Sequence, residues 1–254
     1  MRHLTSPLVL LFAASLWLQA SAQEIPSQED RKAAQVVDDF YRMLNLDSLR
    51  TDSILYIESH IVPNGHTDTL TMRRWTATRH RQRVEFWYQG ILQMCLFSDG
   101  RTYYESYREE EGWKSVNRSD YYDAVEIYDI HGPLYQWREH GEELTYEGTV
   151  LFEGNRVERI GSRSPLHYDR HYYFEQESKL MFLYTESDSI GGEPSPITTR
   201  NRVDWHAYHE YQPLGNILLP SVESYQHQGS ITLIFNRASY VALDERIFTQ
   251  RQMP

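Results

Sequence analysis

The sequence predicts a mainly β (α+β) protein, in which a curved antiparallel half-barrel of about ten or eleven strands follows one N-terminal helix. Apolar residues repeat at a convincing helical spacing over residues 27–44. From Ile54 onward they alternate with polar residues, which is the period of a half-buried strand. Turn signals recur at about 8–12 residues, as in a meandering antiparallel sheet. A sheet of that length must curl, close or split, and the helix and the central segment are expected to fill its concave side.

The first 22 residues have the layout of a secretory signal peptide. Arg2 and His3 form the positive region, an apolar stretch runs from Leu8 to Leu18, and Ala20-Ser21-Ala22 forms an A-x-A cleavage site. The stretch is short for a transmembrane helix, although an uncut N-terminal anchor helix is the alternative. We therefore expect a soluble periplasmic protein, cleaved after Ala22, with one mature domain over residues 23–254.

The helix is expected over residues 27–44, where an apolar stripe recurs every three to four residues. Ser27 can cap the first turn, and Asp30 stands in the capping-box position three residues later. The stripe consists of Ala33, Val36, Val37, Phe40, Tyr41 and Leu44. Residues 45–53 then end the helix in a loop or a short second turn.

Strands connected as hairpins are expected through most of the remaining chain. The first hairpin pairs residues 53–62 with 69–79. Further strands are predicted at 83–90, 91–97, 101–107 and 113–117, with "SDG" (98–100) and "REEEG" (108–112) as turns. Two more hairpins turn at 153–155 and 176–178, a loop covers 191–196, and the last strands turn near Gly215 and Gly229. Short helical stretches are expected near 120–130 and 134–140.

The composition argues against several kinds of site. A net charge of −11 makes the chain a poor partner for nucleic acid or anionic membranes. No glycine-rich phosphate loop is present in the sequence, so we expect no cofactor. Cys95 is the only cysteine; it lies in an apolar run without an obvious histidine partner and is expected to be a small buried residue.

The histidine-rich segment "HYDRHYY" leaves open a metal-dependent hydrolase. His167, Asp169 and His171 would share one strand face at period two, and two imidazoles with a carboxylate are competent metal ligands. Further ligands could come from Asp204, His206 and His209. The other interpretation of the segment is a polar, solvated sheet face.

Two apolar, aromatic-rich runs occupy residues 83–106, with a break at Gly90. Each run places a set of apolar side chains on one strand face. The sets are Val84, Phe86 and Tyr88, and Leu92, Met94 and Leu96. On a concave sheet they would face either the helix residues Val37 and Phe40 or an apolar guest. Methionine adapts to irregular surfaces, which suits a promiscuous pocket.

Several local motifs resemble those of the LolA-like periplasmic lipoprotein carriers and outer-membrane lipoprotein-sorting-type proteins. "TRHRQRVEF" resembles the basic strand start of that family, with His80 where proline is usual. "SDGRTYY" resembles the turn and strand that follow, and "DIHGPLYQW" with "EELTYEGT" the middle section. "NILLPSVESYQHQGSITLIF" is similar to the late strand pair. The motifs occur in the family's order and span most of the mature chain.

The resemblance implies an incomplete barrel around a hydrophobic cavity that takes acyl chains, and a non-enzymatic carrier or binding protein. The residues expected to line or plug the cavity are Val37, Phe40, Val84, Phe86, Tyr88, Leu92, Met94 and Leu96. The expected partners are a lipid or acylated lipoprotein and envelope proteins that act as donor and acceptor, with the chain itself a monomer. An envelope module that binds a protein partner without a small ligand, or one that stacks sugars on Trp113 and Trp137, is the alternative.

Overall fold

A computed structural model describes residues 27–49, 53–63, 69–78, 81–108, 112–117, 130–152, 154–164, 168–190, 193–194, 205–226, 230–242 and 244–249. The predicted signal peptide, its cleavage site and nearly all of the first predicted central helix (120–130) lie outside these residues. Within them, no helix has the length and apolar character needed to cross a membrane.

The N-terminal helix, α1 (Gln28–Leu44), begins and ends where the sequence predicts. Its capping box is complete, because Asp30 N donates to Ser27 Oγ at 3.0 Å and Ser27 N donates to the Asp30 carboxylate at 2.9 Å. Asn45 ends the helix in the left-handed conformation (φ 54°), and a 3₁₀ turn, Leu46–Ser48, follows. The Asn45 side-chain amide (Nδ2) donates to the Asn216 backbone carbonyl at 2.8 Å, which connects this end of the helix to the sheet.

One sheet of fourteen strands contains all the described strands, more than the ten or eleven expected. The strands are β1 (Ser53–Pro63), β2 (Leu70–Thr78), β3 (Arg81–Tyr88), β4 (Ile91–Ser98), β5 (Tyr103–Tyr107), β6 (Lys114–Val116), β7 (Glu143–Phe152), β8 (Asn155–Arg163), β9 (Tyr168–Glu175), β10 (Met181–Ile190), β11 (Glu193–Pro194), β12 (Trp205–Leu214), β13 (Ile217–Gln226) and β14 (Ser230–Ala242). The short β11 falls in the predicted loop 191–196.

The curved sheet is antiparallel throughout its described length, with the order β6-β5-β4-β3-β2-β1-β14-β13-β12-β10-β9-β8-β7, and β11 pairs with β10. The long-range pairing of β1 with β14 joins the N-terminal strands to the C-terminal ones. We call the face that contacts α1 the inner face; it carries Leu55 and Ile57 of β1. The opposite face is the outer face.

The central segment contains turns where a second short helix was predicted at 134–140. Successive backbone N–H groups bond to the carbonyl three residues back, as from Trp137 to Leu134 (3.2 Å) and from Glu139 to Gln136 (2.9 Å). Gln136 has a φ of 56°, a left-handed conformation that an α-helix cannot contain. Leu134 is fully buried and packs with the helix, so this part of the segment does fill the inner side.

Candidate functional site

Two separate apolar clusters occupy the inner side of the sheet. The first, which we call the helix cluster, joins α1 to the central segment and to residues of β1, β7, β8, β9, β10 and β13. It contains Ala33, Val36, Val37, Phe40, Leu44, Leu46, Leu55, Ile57, Ile130, Leu134, Leu144, Ile160, Tyr172, Phe174, Met181, Tyr184, Ile217 and Leu219. The second, here the strand cluster, contains Ile61, Met72, Val84, Phe86, Leu96, Tyr103 and Leu233, with Leu70, Met94 and Val116 packed against them.

The eight predicted cavity residues divide between these clusters. Val37 and Phe40 belong to the helix cluster. Four others, Val84, Phe86, Met94 and Leu96, belong to or pack against the strand cluster. Tyr88 and Leu92 are in neither cluster. The structure thus brings four of the eight together and keeps those four apart from the helix residues they were expected to meet.

The strand register explains the shape of the strand cluster. Met72, Phe86 and Met94 lie directly opposite one another on β2, β3 and β4, and Val84 lies opposite Leu96. A register shift after Phe86 sets Leu92 opposite Trp87, which interrupts the expected alternation of Leu92 with Met94. Ile61, Met72, Tyr103 and Leu233 were not among the predicted cavity residues. For two of them a usable signal exists, because Met72 follows Leu70, and Leu233 precedes Phe235, at period two.

Only strands contribute to the strand cluster within the described part of the chain. The helix packs instead on β7 and β13, on the other side of the β1–β14 junction. Three side chains that pack against this cluster, those of Leu70, Met94 and Val116, are only partly buried. Part of the apolar surface of this half is therefore accessible. The helix therefore fills one half of the inner side, and strands alone build the apolar surface of the other.

A chain of buried polar groups on the inner face runs from Tyr184 of the helix cluster to Glu223, which lies opposite Leu233 of the strand cluster. The Glu223 carboxylate lies 3.0 Å from His206 Nε2, and His206 Nδ1 lies 3.2 Å from the Tyr184 hydroxyl. Glu223 and His206 are 5% and 2% exposed. His206 was predicted only as a possible metal ligand, and Glu223 was not among the predicted site residues. The available signal was a carboxylate at the inward positions of β13, in line with Ile217 and Leu219.

On the outer face of β3, an ion pair lies in contact with the C-terminal 3₁₀ turn. Arg83 Nε donates to Glu85 at 2.6 Å, and Trp87 Nε1 donates to the same carboxylate at 3.0 Å. Arg83 also donates to the Ile247 carbonyl at 3.2 Å, within the 3₁₀ turn Glu245–Phe248. Of the three arginines in the predicted basic strand start, Arg83 is the buried one; Arg79 lies outside the described residues.

The histidines considered as metal ligands lie on opposite faces of the sheet. His171 is opposite Thr185 of β10, whereas His206 is opposite the adjacent residue, Tyr184. His171 lies 3.0 Å from Glu147, which also pairs with Arg159 at 2.6 Å. Among the described residues no group of three His, Cys, Asp or Glu side chains is placed to hold a metal ion. His167 and Asp204 lie outside them.

Trp113 and Trp137, the tryptophans considered for sugar stacking, lie in different parts of the fold. Trp113 contacts Phe97 edge-on at 4.9 Å, and Trp137 packs against the helix cluster under the Arg138 guanidinium. Trp137 also borders a cleft of about 1050 Å³ beside α1, where Arg138 makes two hydrogen bonds to Asp38 (3.0 and 3.1 Å). None of the eight predicted cavity residues lines this cleft.

Comparison with known proteins identifies the fold. No protein-family profile and no curated protein matches the chain. A LolA superfamily protein from Nitrosomonas europaea has a similar structure, with a TM-score of 0.59 and 9% identity over 86% of this chain and 97% of that one. A DUF1329 family protein from Desulfovibrio piger gives a TM-score of 0.59 and 11% identity over 85% and 97% of the two chains. A domain described as outer membrane lipoprotein-sorting, from Vibrio parahaemolyticus, gives 0.57 and 9% over 86% and 97%.

These similarities show that the chain has a LolA-like fold, which confirms the fold class expected from its motifs. At identities near one residue in ten, they show the fold alone.

Proposed function

We propose that this chain is a periplasmic carrier or binding protein for lipid or lipoprotein acyl chains, related to outer-membrane lipoprotein sorting, and not an enzyme. The observation that supports it is the division of the inner side of a LolA-like sheet. Helix α1 packs in one half, whereas the apolar strand cluster of the other half has no described helix among its members.

The chemistry of the strand cluster suits an acyl chain. Its members are aliphatic side chains, methionines and aromatic rings, and the accessible ones include Met94, whose unbranched thioether adapts to guests of irregular shape. Each methylene of a guest that leaves water contributes about 0.8 kcal/mol. A few partly covered side chains such as Leu70, Met94 and Val116 are therefore enough for useful affinity.

The proposal includes the expected route and partners of the protein. The predicted leader would direct the chain to the periplasm and be removed after Ala22. An acylated lipoprotein would be received from one envelope protein and passed to another. Mass spectrometry of the protein recovered from a bacterial periplasm tests the first step, because a mature chain should begin at Gln23.

The test of function is native mass spectrometry of that periplasmic protein, followed by solvent extraction and identification of any lipid. We expect a bound lipid that is lost on extraction and is retained less by Met94→Asp, which places a carboxylate in the strand cluster. Ile91→Asp is the matched control, since Ile91 begins the same strand, β4, but is exposed. A folded protein that carries no lipid and takes up no fluorescent acyl probe would contradict the proposal.

A further inference from the structure

The Glu223 side chain is almost completely buried, and among the described residues only one of its two carboxylate oxygens has a hydrogen-bond partner. Its exposed fraction is 5%, and its Oε2 atom lies 3.0 Å from His206 Nε2. No described residue donates a hydrogen bond to the other oxygen, Oε1. Oε1 is not among the fully enclosed side-chain atoms that lack a partner, so this oxygen still reaches accessible space. A ligand N–H group could therefore replace water as its hydrogen-bond donor.

The sheet places this carboxylate at the boundary between the two clusters. On β14 the residue opposite Glu223 is Leu233 of the strand cluster. On β12 the residue opposite is Tyr208, which packs against the helix cluster. An acyl chain lying on the strand cluster would therefore have Glu223 at the edge of its apolar surface, next to the filled half.

The charged groups nearby leave Glu223 without a strong cation. Its one ion-pair partner among the described residues is His206. The neighbouring buried arginine, Arg170, is directed at Glu186, to which it donates at 2.7 and 3.0 Å. The Tyr208 hydroxyl stays protonated, since burial raises its pKa well above the ordinary range, and electrostatic interactions with Tyr184 and the Glu223 carboxylate raise it further.

We infer that Glu223 Oε1 binds a hydrogen-bond donor of the cargo, an ammonium or amide N–H group, at the polar end of an acyl chain that lies on the strand cluster. This inference rests on the proposed function and adds the class of head group to it. A carboxylate head group would be disfavoured at the same place, because two acceptors of like charge would meet in a buried position.

Competition with a fluorescent acyl probe tests the head group directly. The competitors are dodecylamine, N-methyldodecanamide and dodecanoate, which share an alkyl chain, each kept below its micelle concentration. We expect the amine and the amide to displace the probe at concentrations about tenfold lower than dodecanoate, the effect of one hydrogen bond to a charged group. In Glu223→Gln the preference for the amine over dodecanoate should fall about tenfold.

Glu210→Gln is the matched control, since Glu210 is exposed on the adjacent strand β12 and its loss changes the net charge equally. Its head-group preference should equal that of the unchanged protein. Equal displacement by all three competitors would overturn the inference and leave the carrier function standing, whereas failure to bind the probe at all would overturn the proposed function. If Glu223→Gln does not fold, high salt separates the Glu223 contact from the net charge as the cause of the preference in the unchanged protein, because salt screens the net charge of −11 far more than a buried contact. Loss of the head-group preference in high salt would overturn the inference.

Discussion

Phe40 of α1 and Phe86 of β3 are both buried on the inner side of one sheet, yet they belong to different apolar clusters. The Phe40 ring meets Phe174 of β9 edge-on at a centroid distance of 5.5 Å. Phe86 instead lies between Met72 and Met94 on neighbouring strands. The same residue type is therefore expected to serve stability at one position and cargo contact at the other.

Replacement of Phe40 by alanine should destabilise the fold strongly. The ring is almost completely buried in the helix cluster, and a phenylalanine-to-alanine change in a core costs about 3–5 kcal/mol. The free energy of unfolding in urea measures the loss. Met43→Ala, on the exposed side of the same helix, should cost less than about 1 kcal/mol. A stable Phe40→Ala protein that loses its lipid would instead place Phe40 in the cargo site.

The Cys95 thiol should resist modification and should make the fold sensitive to alkali. Burial raises the pKa of the thiol to about 12, whereas an unfolded cysteine ionises near about 8.5. Above that pH the unfolded chain holds fewer protons than the folded one, so stability is full below about 8.5 and falls as pH rises toward about 12. The limiting slope from this group is about 1.4 kcal/mol per pH unit.

The difference in unfolding free energy between the unchanged protein and Cys95→Ala, followed from pH 8 to 10, isolates this contribution from the tyrosines and lysines. The difference should shift in favour of the alanine variant as the pH rises. Iodoacetamide should label Cys95 only after unfolding. Rapid labelling of the folded protein would show that the thiol is accessible and that its ionisation is not suppressed by burial.

Local sequence patterns predict the helix and the tight turns because neighbouring residues determine them. The capping box of α1 is one case. The "SDG" turn is another: Asp99 Oδ1 accepts from Arg101 N at 2.8 Å and from Thr102 N at 2.9 Å, and Gly100 has a φ of 95°. In both cases the bonds join residues two or three positions apart, so the sequence itself contains the information.

Contacts between distant residues could not be predicted in the same way. The pairing of β1 with β14 determines which apolar residues meet, and it joins positions such as Ile61 and Leu233. The Glu223–His206 contact needs the β12–β13 register, including its shifts near Glu210. Alternation predicts burial but does not tell contact with a helix from contact with other strands. This is why the predicted residues of β3 and β4 were placed in one site with Val37 and Phe40.

Glu58 on the outer face should stabilise the fold at neutral pH and lose this effect in acid. Its carboxylate accepts from Tyr56 (2.9 Å), Arg73 (3.1 Å) and Arg237 (3.3 Å). Burial alone would raise the pKa of Glu58, but these hydrogen bonds and the charge of Arg237 outweigh it and hold the pKa below its ordinary value. The stabilisation is thus complete above the unfolded pKa near about 4.3 and is lost as pH falls through the lower folded value.

Replacement of Glu58 by glutamine should reduce the unfolding free energy by about 1 kcal/mol at pH 7, a modest value because Arg73 and Arg237 are partly exposed. The gap should close as the pH is lowered below about 4. Glu177→Gln, in the exposed turn between β9 and β10, serves as the control and should change little. If the difference in unfolding free energy between the two proteins stays constant down to pH 2.5, the lost stability comes from the geometry of the amide and not from the loss of the carboxylate charge.

Arg83 should hold the C-terminal turn against β3, and its replacement by lysine should release that turn. The guanidinium reaches Glu85 at 2.6 Å and the carbonyls of Ile247 and Thr249 at 3.2 and 3.5 Å. Lysine keeps the charge, but its compact ammonium cannot reproduce the fork of arginine across these three acceptors.

Hydrogen exchange measured on peptides covering residues 244–249 tests this role of Arg83. Loss of the hydrogen bonds to the turn should speed exchange there about tenfold, with the helix cluster unaffected. Arg156→Lys, an exposed arginine on β8, controls for the change of residue type. The Phe248 side chain is itself buried beside Arg81, with the guanidinium 4.9 Å from the ring. Unchanged exchange in Arg83→Lys would therefore mean that this packing, and not the Arg83 hydrogen bonds, anchors the turn.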